Sequence, residues 1–316
     1  GPLGDGIHYV QNHIGSVIDG NVEYVIDRVC DHNKGRLIKR GDQAICPLHG
    51  WQLDLHTLTY NQSGIKKQTI PFAHVDEGTV RVEVAEKFLA LPVELQSRID
   101  AAKQTVQPQK LQFRLLSHAT LLITYGEFSM ITDPWLIGPA FMTGWWLATP
   151  PPADALELLK SVDLVYISHN HPDHLHIETL SQLEKSTPIV TANFLTGSSE
   201  KMLRRAGFIH IFALDFLQLH AIEGLPVILS VLKSGDFRDD SGLYLNINGF
   251  DCLFNVDCNY LNAHVLPRTI NLVASAFASG ASGFPLCFED FSEQEKSKVV
   301  ARNKNTVKSK QAELCV

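Results

Sequence analysis

Two cysteines and two histidines near the N-terminal end of the chain could together hold a metal. They form two short motifs, Cys30-Asp-His32 and Cys46-Pro-Leu-His49, on predicted tight turns that would each present one thiolate and one imidazole. Tetrahedral zinc accepts two cysteines and two histidines. A [2Fe–2S] cluster can instead take two cysteines on one iron and two histidines on the other. The spacing therefore predicts either a zinc site or a two-iron cluster.

The distribution of ligand types favours the cluster. Zinc fingers usually place both cysteines in one turn and both histidines in the other, whereas each turn here holds one of each. Short β-branched segments surround the motifs, among them Tyr24–Ile26 and Gln43–Ile45, and they predict an all-β Rieske domain. Histidine ligation raises the reduction potential above that of all-cysteine clusters. Because such a cluster only carries single electrons, a second site for bond chemistry is expected.

A second group of ligand-type side chains follows a predicted buried strand at Asp163–Ser168. The segment His169-Asn-His171-Pro-Asp173-His174 has the H-x-H-x-D-H pattern of the metallo-β-lactamase fold. A loop after a strand can turn residues i and i+2 toward one metal, so His169 and His171 are predicted to share a position. Asp173 and His174 would then face a neighbouring position. These nitrogen and oxygen donors suit both zinc and iron.

Further ligands are expected from other strand ends of the same domain. Asp257 follows the predicted strand Cys252–Val256 and is a candidate bridging or terminal carboxylate. Asp236, on a loop between strands, and His118, at the end of the first strand, are further candidate metal ligands. Asp133 ends another strand and could orient a ligand by a hydrogen bond. The predicted catalytic residues are His169, His171, Asp173, His174 and Asp257.

The length and the segment pattern predict two domains. The chain has 316 residues, of which 45% are hydrophobic and 19% charged, as in ordinary globular proteins. Residues 5–90 are expected to form the Rieske domain and residues 91–110 a linker. Residues 111–316 are expected to form an α/β metallo-β-lactamase-like αββα sandwich that carries the catalytic metal. Residues 1–4 look like the scar of an expression tag.

Charge and hydropathy exclude several classes of function. The net charge is −7, whereas a generic nucleic-acid binder should be basic. No apolar run reaches the roughly 18 residues of a membrane helix and no signal-peptide pattern is present, so a cytoplasmic protein without a membrane span is expected. The sequence has no glycine-rich phosphate loop for NAD or flavin. Electrons must therefore come from an external partner.

Several stretches resemble the CMP-N-acetylneuraminate hydroxylase family, which joins Rieske and metallo-β-lactamase-like domains. The resemblance runs over nearly the whole chain, and its most specific stretches are Thr132–Phe141 and Gly280–Pro285. The other matching stretches are Cys30–His32, Cys46–Trp51, Gly144–Leu147, Ile167–Leu175 and Asn255–Cys258.

This resemblance implies an activity, the hydroxylation of the N-acetyl methyl group of CMP-N-acetylneuraminate to the N-glycolyl form. It implies O2 as co-substrate, a Rieske [2Fe–2S] cluster, one or two non-heme iron ions in the second site, and a cytosolic location. It also implies an external electron donor of the cytochrome b5 or ferredoxin type, with its reductase. Trp135, Phe141, Trp145 and Trp146 could wall the substrate pocket.

The sequence departs from the family pattern at two points. Asp236 stands where a family histidine is expected, and a carboxylate there favours iron or manganese over zinc. The family also continues past the equivalent of Val316, so we expect either a shortened relative or a chain from which residues were removed.

Three other interpretations remain open at this point. One is a Rieske oxygenase for another small molecule, for example one that oxygenates an amine nitrogen. Another is a hydrolase that activates water with two zinc ions and carries a redox-sensing Rieske domain. The third is an electron carrier without catalysis. Rieske oxygenases often pass electrons between subunits, so a homo-oligomer is a further expectation.

Overall fold

A computed structural model gives the positions of most of the chain. The structure describes residues 4–10, 13–32, 35–70, 73–76, 79–82, 87–102, 109–234, 238–258, 261, 266, 269–276 and 289–314. Asp236 and the family stretch Gly280–Pro285 lie outside these residues. No helix in the described part combines the length and the apolarity needed to cross a membrane.

The N-terminal region consists of short strands in three small antiparallel sheets. The first sheet contains β1 (Gly6–Val10), β2 (His13–Ile18) and β3 (Asn21–Asp27). The second contains β4 (Ile38–Arg40), β5 (Gln43–Ile45) and β6 (Gln52–Asp54). The third pairs β7 (Ala73–Asp76) with β8 (Thr79–Val82). Ile14, Ile26, Leu37 and Leu53 are fully buried in one core with both motif cysteines. The two cysteine motifs are therefore built into the core of a strand-rich unit.

The second region contains two six-stranded sheets. The first has the order β10 (Leu111–Ser117), β11 (Thr120–Tyr125), β12 (Phe128–Thr132), β13 (Leu164–Ile167), β14 (Ile189–Ala192) and β15 (Ile211–Leu214). The second has the order β20 (Leu272–Ser275), β19 (Phe250–Val256), β18 (Ser241–Ile247), β17 (Val227–Lys233), β16 (His220–Ala221) and β9 (Lys87–Phe88).

Alternating side chains explain why the first sheet is covered on both faces. Met130 and Tyr166 point to a core shared with Leu229 and Leu243 of the second sheet. Their chain neighbours point to the other face, because successive strand residues face opposite ways. On that face, residues of α2 (Ala155–Lys160), α3 (Ile177–Leu180) and α4 (Ser198–Arg205) are buried against the sheet. The sequence predicts a four-layer αββα sandwich. In the described residues, the structure has two packed sheets and one helical layer on the outer face of the first sheet.

Residues 91–102 of the segment expected to be a linker pack with the second region. Strand β9 pairs with β16, although it was expected within the Rieske domain. Helix α1 (Val93–Ala102) buries Ile99 in the core between the two sheets, together with Leu89. Burial of these apolar side chains explains why residues 87–102 fold onto the sandwich.

The last helix in the described residues, α5 (Glu293–Leu314), begins after a capping box formed by Ser292 and Glu295. The Glu295 carboxylate accepts a hydrogen bond from the Ser292 backbone N–H at 2.9 Å, and the Glu295 N–H donates to the Ser292 hydroxyl at 3.3 Å. This reciprocal pair satisfies two N–H groups that a helix start leaves without helical partners.

Candidate metal centres

Sheet topology brings the predicted ligands of the second region together at one end of the strands. Strands β12 and β13 run parallel, so Asp133 and His169, which follow them, lie at the same end. Strand β11 is antiparallel to β12, which places the turn with His118 at that end as well. Asp257 follows β19 of the other sheet, and its carboxylate lies 3.6 Å from His174 Nε2. Strand ends from both sheets therefore meet at this site.

The predicted ligands fall into two groups whose donor atoms lie within 4.8 Å of one another. The first group is His118, Asp173 and His174; the second is His169, His171 and Asp257. The two groups adjoin, since the rings of His169 and His174 are 4.3 Å apart. The structure thus brings together every described residue that the sequence predicted for this site.

The second group has the spacing of ligands on one metal ion. His169 Nε2 lies 2.8 Å from His171 Nδ1. Two nitrogens about 2.1 Å from a common ion and at right angles to each other would be about 3 Å apart. His169 is buried, whereas His171 and Asp257 are exposed. A metal held here would therefore have one face toward the protein and one toward solvent.

A buried nitrogen in the first group also lacks a good hydrogen bond. His174 Nε2 lies 3.5 Å from Asp173 Oδ2 and 3.6 Å from Asp257 Oδ2, at the limit of hydrogen bonding or beyond it. Both Nε2 and Asp173 Oδ1 are buried without a hydrogen-bond partner among the described residues. Buried polar atoms normally have partners, so these two atoms fit the role of metal ligands.

Asp133 sets the orientation of the two buried histidines. Its carboxylate is fully buried and accepts hydrogen bonds from the Ser168 N–H and Oγ, both at 2.7 Å, and from His174 Nδ1 at 2.9 Å. Because the Ser168 hydroxyl donates to Asp133, its oxygen accepts from His169 Nδ1 at 2.9 Å. Both imidazoles are thereby protonated on Nδ1, which leaves Nε2 of each for a metal.

The electrostatic environment differs between the two buried histidines. Burial and the neighbouring His174 imidazole lower the pKa of His169 to about 3, so its ring is neutral, which is the form that binds metals. Burial lowers the pKa of His174, but Asp133 and Asp257 outweigh this and hold the pKa well above its usual range. A metal ion on His174 Nε2 must displace a proton, so its binding releases one.

Strained backbone marks the strand ends that carry the ligands. His118, Asp133 and Val256 all have positive φ, at 35°, 36° and 51°. Such angles are rare for residues other than glycine, and most of all for a β-branched residue such as Val256, which precedes Asp257. Strain of this kind clusters at functional sites, which supports the location of the site independently of the ligand types.

Two neighbours of the site had little or no signal in the sequence. Ser168, between Asp133 and His169, is fully buried. Asp240 is buried, and its Oδ1 lies 3.6 Å from His169 Nδ1. Ser168 adjoins the motif and could have been inferred from it, whereas Asp240 reaches His169 only through the pairing of distant strands.

The predicted aromatic wall is only partly at the site. The Phe141 ring lies 6.2 Å from that of His171, and the Trp135 ring 5.3 Å from that of His118. Trp145 contacts Phe141 with ring centroids 4.9 Å apart. Trp146 is 67% exposed and does not wall a pocket within the described residues.

Replacement of Asp133 by asparagine is expected to weaken metal binding at this site. Asparagine keeps the size of the side chain and tolerates positive φ, but it cannot accept all three hydrogen bonds. Loss of such a partner typically costs 10–100-fold in metal affinity, so we expect a loss of about this size in chelator-competition titrations. Asp154→Asn, at an exposed carboxylate paired with Arg114, is the matched control. Equal affinity in Asp133→Asn and wild type would contradict the role of Asp133.

The N-terminal motifs present two buried cysteines and two histidines that are less buried. Cys30 and Cys46 are fully buried free cysteines, while His32 is half-buried and His49 exposed. The two histidine rings meet edge to face with centroids 4.9 Å apart, and His32 stacks on Trp51 at 4.4 Å. The four predicted ligands therefore lie on two neighbouring turns, with both cysteines buried and His49 the most exposed of the four.

Backbone hydrogen bonds close each of these turns. The Cys30 N–H donates to the Gly35 carbonyl at 2.8 Å, and the Cys46 N–H donates to the Trp51 carbonyl at 2.8 Å. The Gly50 N–H donates back to the Cys46 carbonyl at 2.9 Å. The two turns are thereby held as fixed loops that face each other.

Replacement of Gly35 by alanine is expected to disrupt the arrangement of the two turns. A Cβ at Gly35 would overlap Cys46 Sγ and crowd the Leu48 side chain at 3.2 Å, and overpacking of this kind costs about 1–3 kcal/mol. We expect loss of the metal centre predicted at these turns, measured by visible absorption and metal content. Gly64→Ala is the control, because Gly64 also lies in a turn of this region but an added Cβ there has no atom within 4 Å. This variant should keep the spectrum. A normal spectrum in Gly35→Ala would show that Cys46 does not need this space.

Comparisons with known proteins agree with this architecture. Residues 112–261 match the model of the beta-lactamase superfamily domain. The cytidine monophosphate-N-acetylneuraminic acid hydroxylase of Asterias rubens is 32% identical over 293 residues, which are 87% of this chain and 43% of that protein. The hydroxylase of the same name from Mus musculus is 30% identical over 300 residues, with 90% and 51% covered. Over about nine-tenths of its length, this chain is similar to the CMP-N-acetylneuraminic acid hydroxylases.

The similarity to the hydroxylases covers only part of those proteins. The chain spans about half the length of the hydroxylases it matches. Among solved structures, CmlA, a diiron beta-hydroxylase from Streptomyces venezuelae, is 18% identical with a TM-score of 0.39, covering 64% of this chain and 44% of that one.

Proposed function

We propose that this chain is the redox and metal-binding part of an O2-dependent hydroxylase of the Rieske, non-heme iron type. The observation that carries the proposal is the presence of two separate ligand sets in one chain that is homologous over about nine-tenths of its length to named hydroxylases. An electron-carrying centre beside an open metal site is the combination that reductive use of O2 requires.

The ligand arrangement supports a two-iron cluster at the N-terminal site. Each of the two N-terminal turns offers one cysteine and one histidine, with both cysteines buried and the two histidine rings 4.9 Å apart. Zinc fingers usually place both cysteines in one turn and both histidines in the other. A [2Fe–2S] cluster that takes cysteines on one iron and histidines on the other suits a ligand set of this kind.

The second site is proposed to hold one or two iron ions. When bound, iron supplies the O2 chemistry, and the protein positions the substrate and excludes competing reactions. His169 and His174 present Nε2 from the buried side, fixed by Asp133. The exposed face, formed by His118, His171 and Asp257, is the side from which substrate and O2 would approach, with Phe141 beside it.

CMP-N-acetylneuraminate is the substrate we propose to test first, since the relatives are named for it. Hydroxylation would convert the methyl of its N-acetyl group to the N-glycolyl form, with water as the second product. An external donor of the cytochrome b5 or ferredoxin type would supply the electrons. We propose a cytoplasmic location, where the buried thiols of Cys252 and Cys258 remain reduced.

The proposal is tested first by the iron, zinc and acid-labile sulfide content of protein purified without oxygen. A [2Fe–2S] cluster holds equal iron and sulfide. We expect iron in excess of sulfide, little zinc, and N-glycolyl product from CMP-N-acetylneuraminate when a reductant and O2 are supplied. Protein without sulfide would refute the cluster, and O2-independent chemistry would refute the oxygenase.

A hydrolase is the second candidate, favoured by the match to the beta-lactamase superfamily domain. Enzymes of this kind use zinc to activate water. Iron equal to sulfide, with zinc in the second site and hydrolysis that persists without O2, would favour this candidate.

A further inference from the structure

The N-terminal cluster turn touches the second region through one carboxylate. Asp31 lies between the predicted ligands Cys30 and His32, and its side chain is 4% exposed. Its Oδ1 lies 3.2 Å from Lys67 Nζ of the same region and 3.2 Å from Lys233 Nζ at the end of β17. The Asp31–Lys233 pair joins residues 202 positions apart in the sequence, and it links the two regions directly.

The segment that carries Lys233 is itself bonded to the metal-binding loop. The Ser234 N–H donates to the Asp240 carbonyl at 3.2 Å, and the Asp240 carboxylate lies 3.6 Å from His169 Nδ1. Opposite Lys233 in the strand ladder, the Ser241 hydroxyl donates to the Ser168 carbonyl at 2.6 Å. A short series of contacts within one chain therefore connects the cluster turn with His169.

The contact is closely packed. A cavity of about 30 Å³ remains between the regions, lined by Asp31, Gln68, Phe194, Phe216 and Lys233 among others. A space of this size holds a single water. Lys233 is 15% exposed, so the pair is shielded from water, and shielded charges are screened by salt much less than exposed ones.

We propose that Lys233 is a positioning residue that holds the Cys30–His32 turn against the second region, so that electrons pass from the cluster to the metal site within one chain. This inference rests on the proposed function. With both groups bound, the external donor would reduce the cluster, and the cluster would pass one electron at a time to the second metal site with no bond made or broken. Electron transfer falls steeply with distance, so the docking contact sets its rate.

The first test compares Lys233→Met with Lys233→Arg. Methionine keeps much of the side-chain length without the charge, whereas arginine keeps the charge. In protein with a reduced cluster we expect Lys233→Met to retain the cluster EPR signal but to show a lower midpoint potential, since a cation that stabilises the reduced form is gone. Reoxidation of the cluster by O2 in a single turnover should slow by about tenfold or more, because small misplacements of reacting groups cost large factors in rate.

Rescue by Lys233→Arg separates positioning from a general loss of stability. Lys160→Met, at an exposed lysine paired with Glu157, is the matched control and should behave as wild type. Wild-type potential and reoxidation rate in Lys233→Met would overturn the inference while leaving the proposed function intact. Absence of a cluster signal in the wild type would instead overturn the proposed function.

The second test distinguishes transfer within a chain from transfer between chains. Cys46→Ser removes a cluster ligand and His171→Ala a ligand of the second site. Each variant is first checked for the centre it should retain, by metal content for Cys46→Ser and by EPR for His171→Ala. Transfer within one chain predicts that the two co-expressed variants remain inactive together. Recovered product formation would show transfer between chains and would overturn the inference.

Discussion

His171→Ala is expected to abolish the proposed hydroxylation while leaving the proposed N-terminal cluster unchanged. His171 supplies one of the two imidazole nitrogens of the second donor group, 2.8 Å from His169 Nε2. Its side chain is exposed, so we expect the free energy of unfolding to change by only about 0.5 kcal/mol. Product formation should fall below detection, and the metal content of the second site should fall with it.

Three measurements on one preparation check this expectation. EPR of the reduced protein reports the cluster, iron in excess of sulfide reports the second site, and product analysis reports turnover. His210→Ala is the matched control, because His210 precedes β15 and lies at the opposite end of the parallel strands from His169. Product formation retained in His171→Ala would place the chemistry elsewhere.

Lys67→Met is expected to have the largest effect on stability. The Lys67 side chain is 1% exposed, and its Nζ lies 2.9 Å from Asp27 Oδ1, 3.2 Å from Asp31 Oδ1 and 2.7 Å from the Val29 carbonyl oxygen. Removal of one partner leaves buried carboxylates without compensation, which costs about 3–5 kcal/mol. Denaturant unfolding measures the loss, and Lys66→Met, at the exposed neighbouring lysine, should change little.

The pH dependence of this loss has a defined sign. Burial raises the pKa of Asp27, but the Lys67 ammonium outweighs this and holds the pKa below its usual value. The stabilisation is therefore complete above the unfolded pKa of about 3.9 and is lost as the pH falls through the lower folded value. In Lys67→Met the Asp27 carboxyl protonates at higher pH than in wild type. The difference in unfolding free energy should be largest near pH 7 and shrink in acid; a constant difference would exclude this charge effect.

Much of the local structure could be predicted from residue types and spacing. The apolar and β-branched residues of Phe128–Thr132 are typical of a strand, and the structure places the adjacent side chains of Met130 and Ile131 in different cores. The Ser292 and Glu295 pair marks the start of α5. Such features depend on residues a few positions apart, so the sequence contains all the information that they need.

The domain boundary could not be placed in the same way. Residues 91–110 are polar enough to suggest a linker, yet α1 buries Ile99 between the two sheets. Whether a short amphipathic segment packs or remains exposed depends on the surface that distant strands offer to it. Local propensity does not contain that information.

The sequence by itself determined which donors this protein has and that most of them follow strands. The motifs around Cys30, Cys46 and His169 place thiolates and imidazoles at chain-local spacings, and their chemistry follows from those residue types. Only the tertiary structure decided how these donors are held and connected. Asp133 fixes two histidines, and Lys233 meets Asp31, through pairings of strands and regions far apart in the chain. Such contacts arise from the joint packing of many side chains, so the spacing of residues along the chain does not specify them.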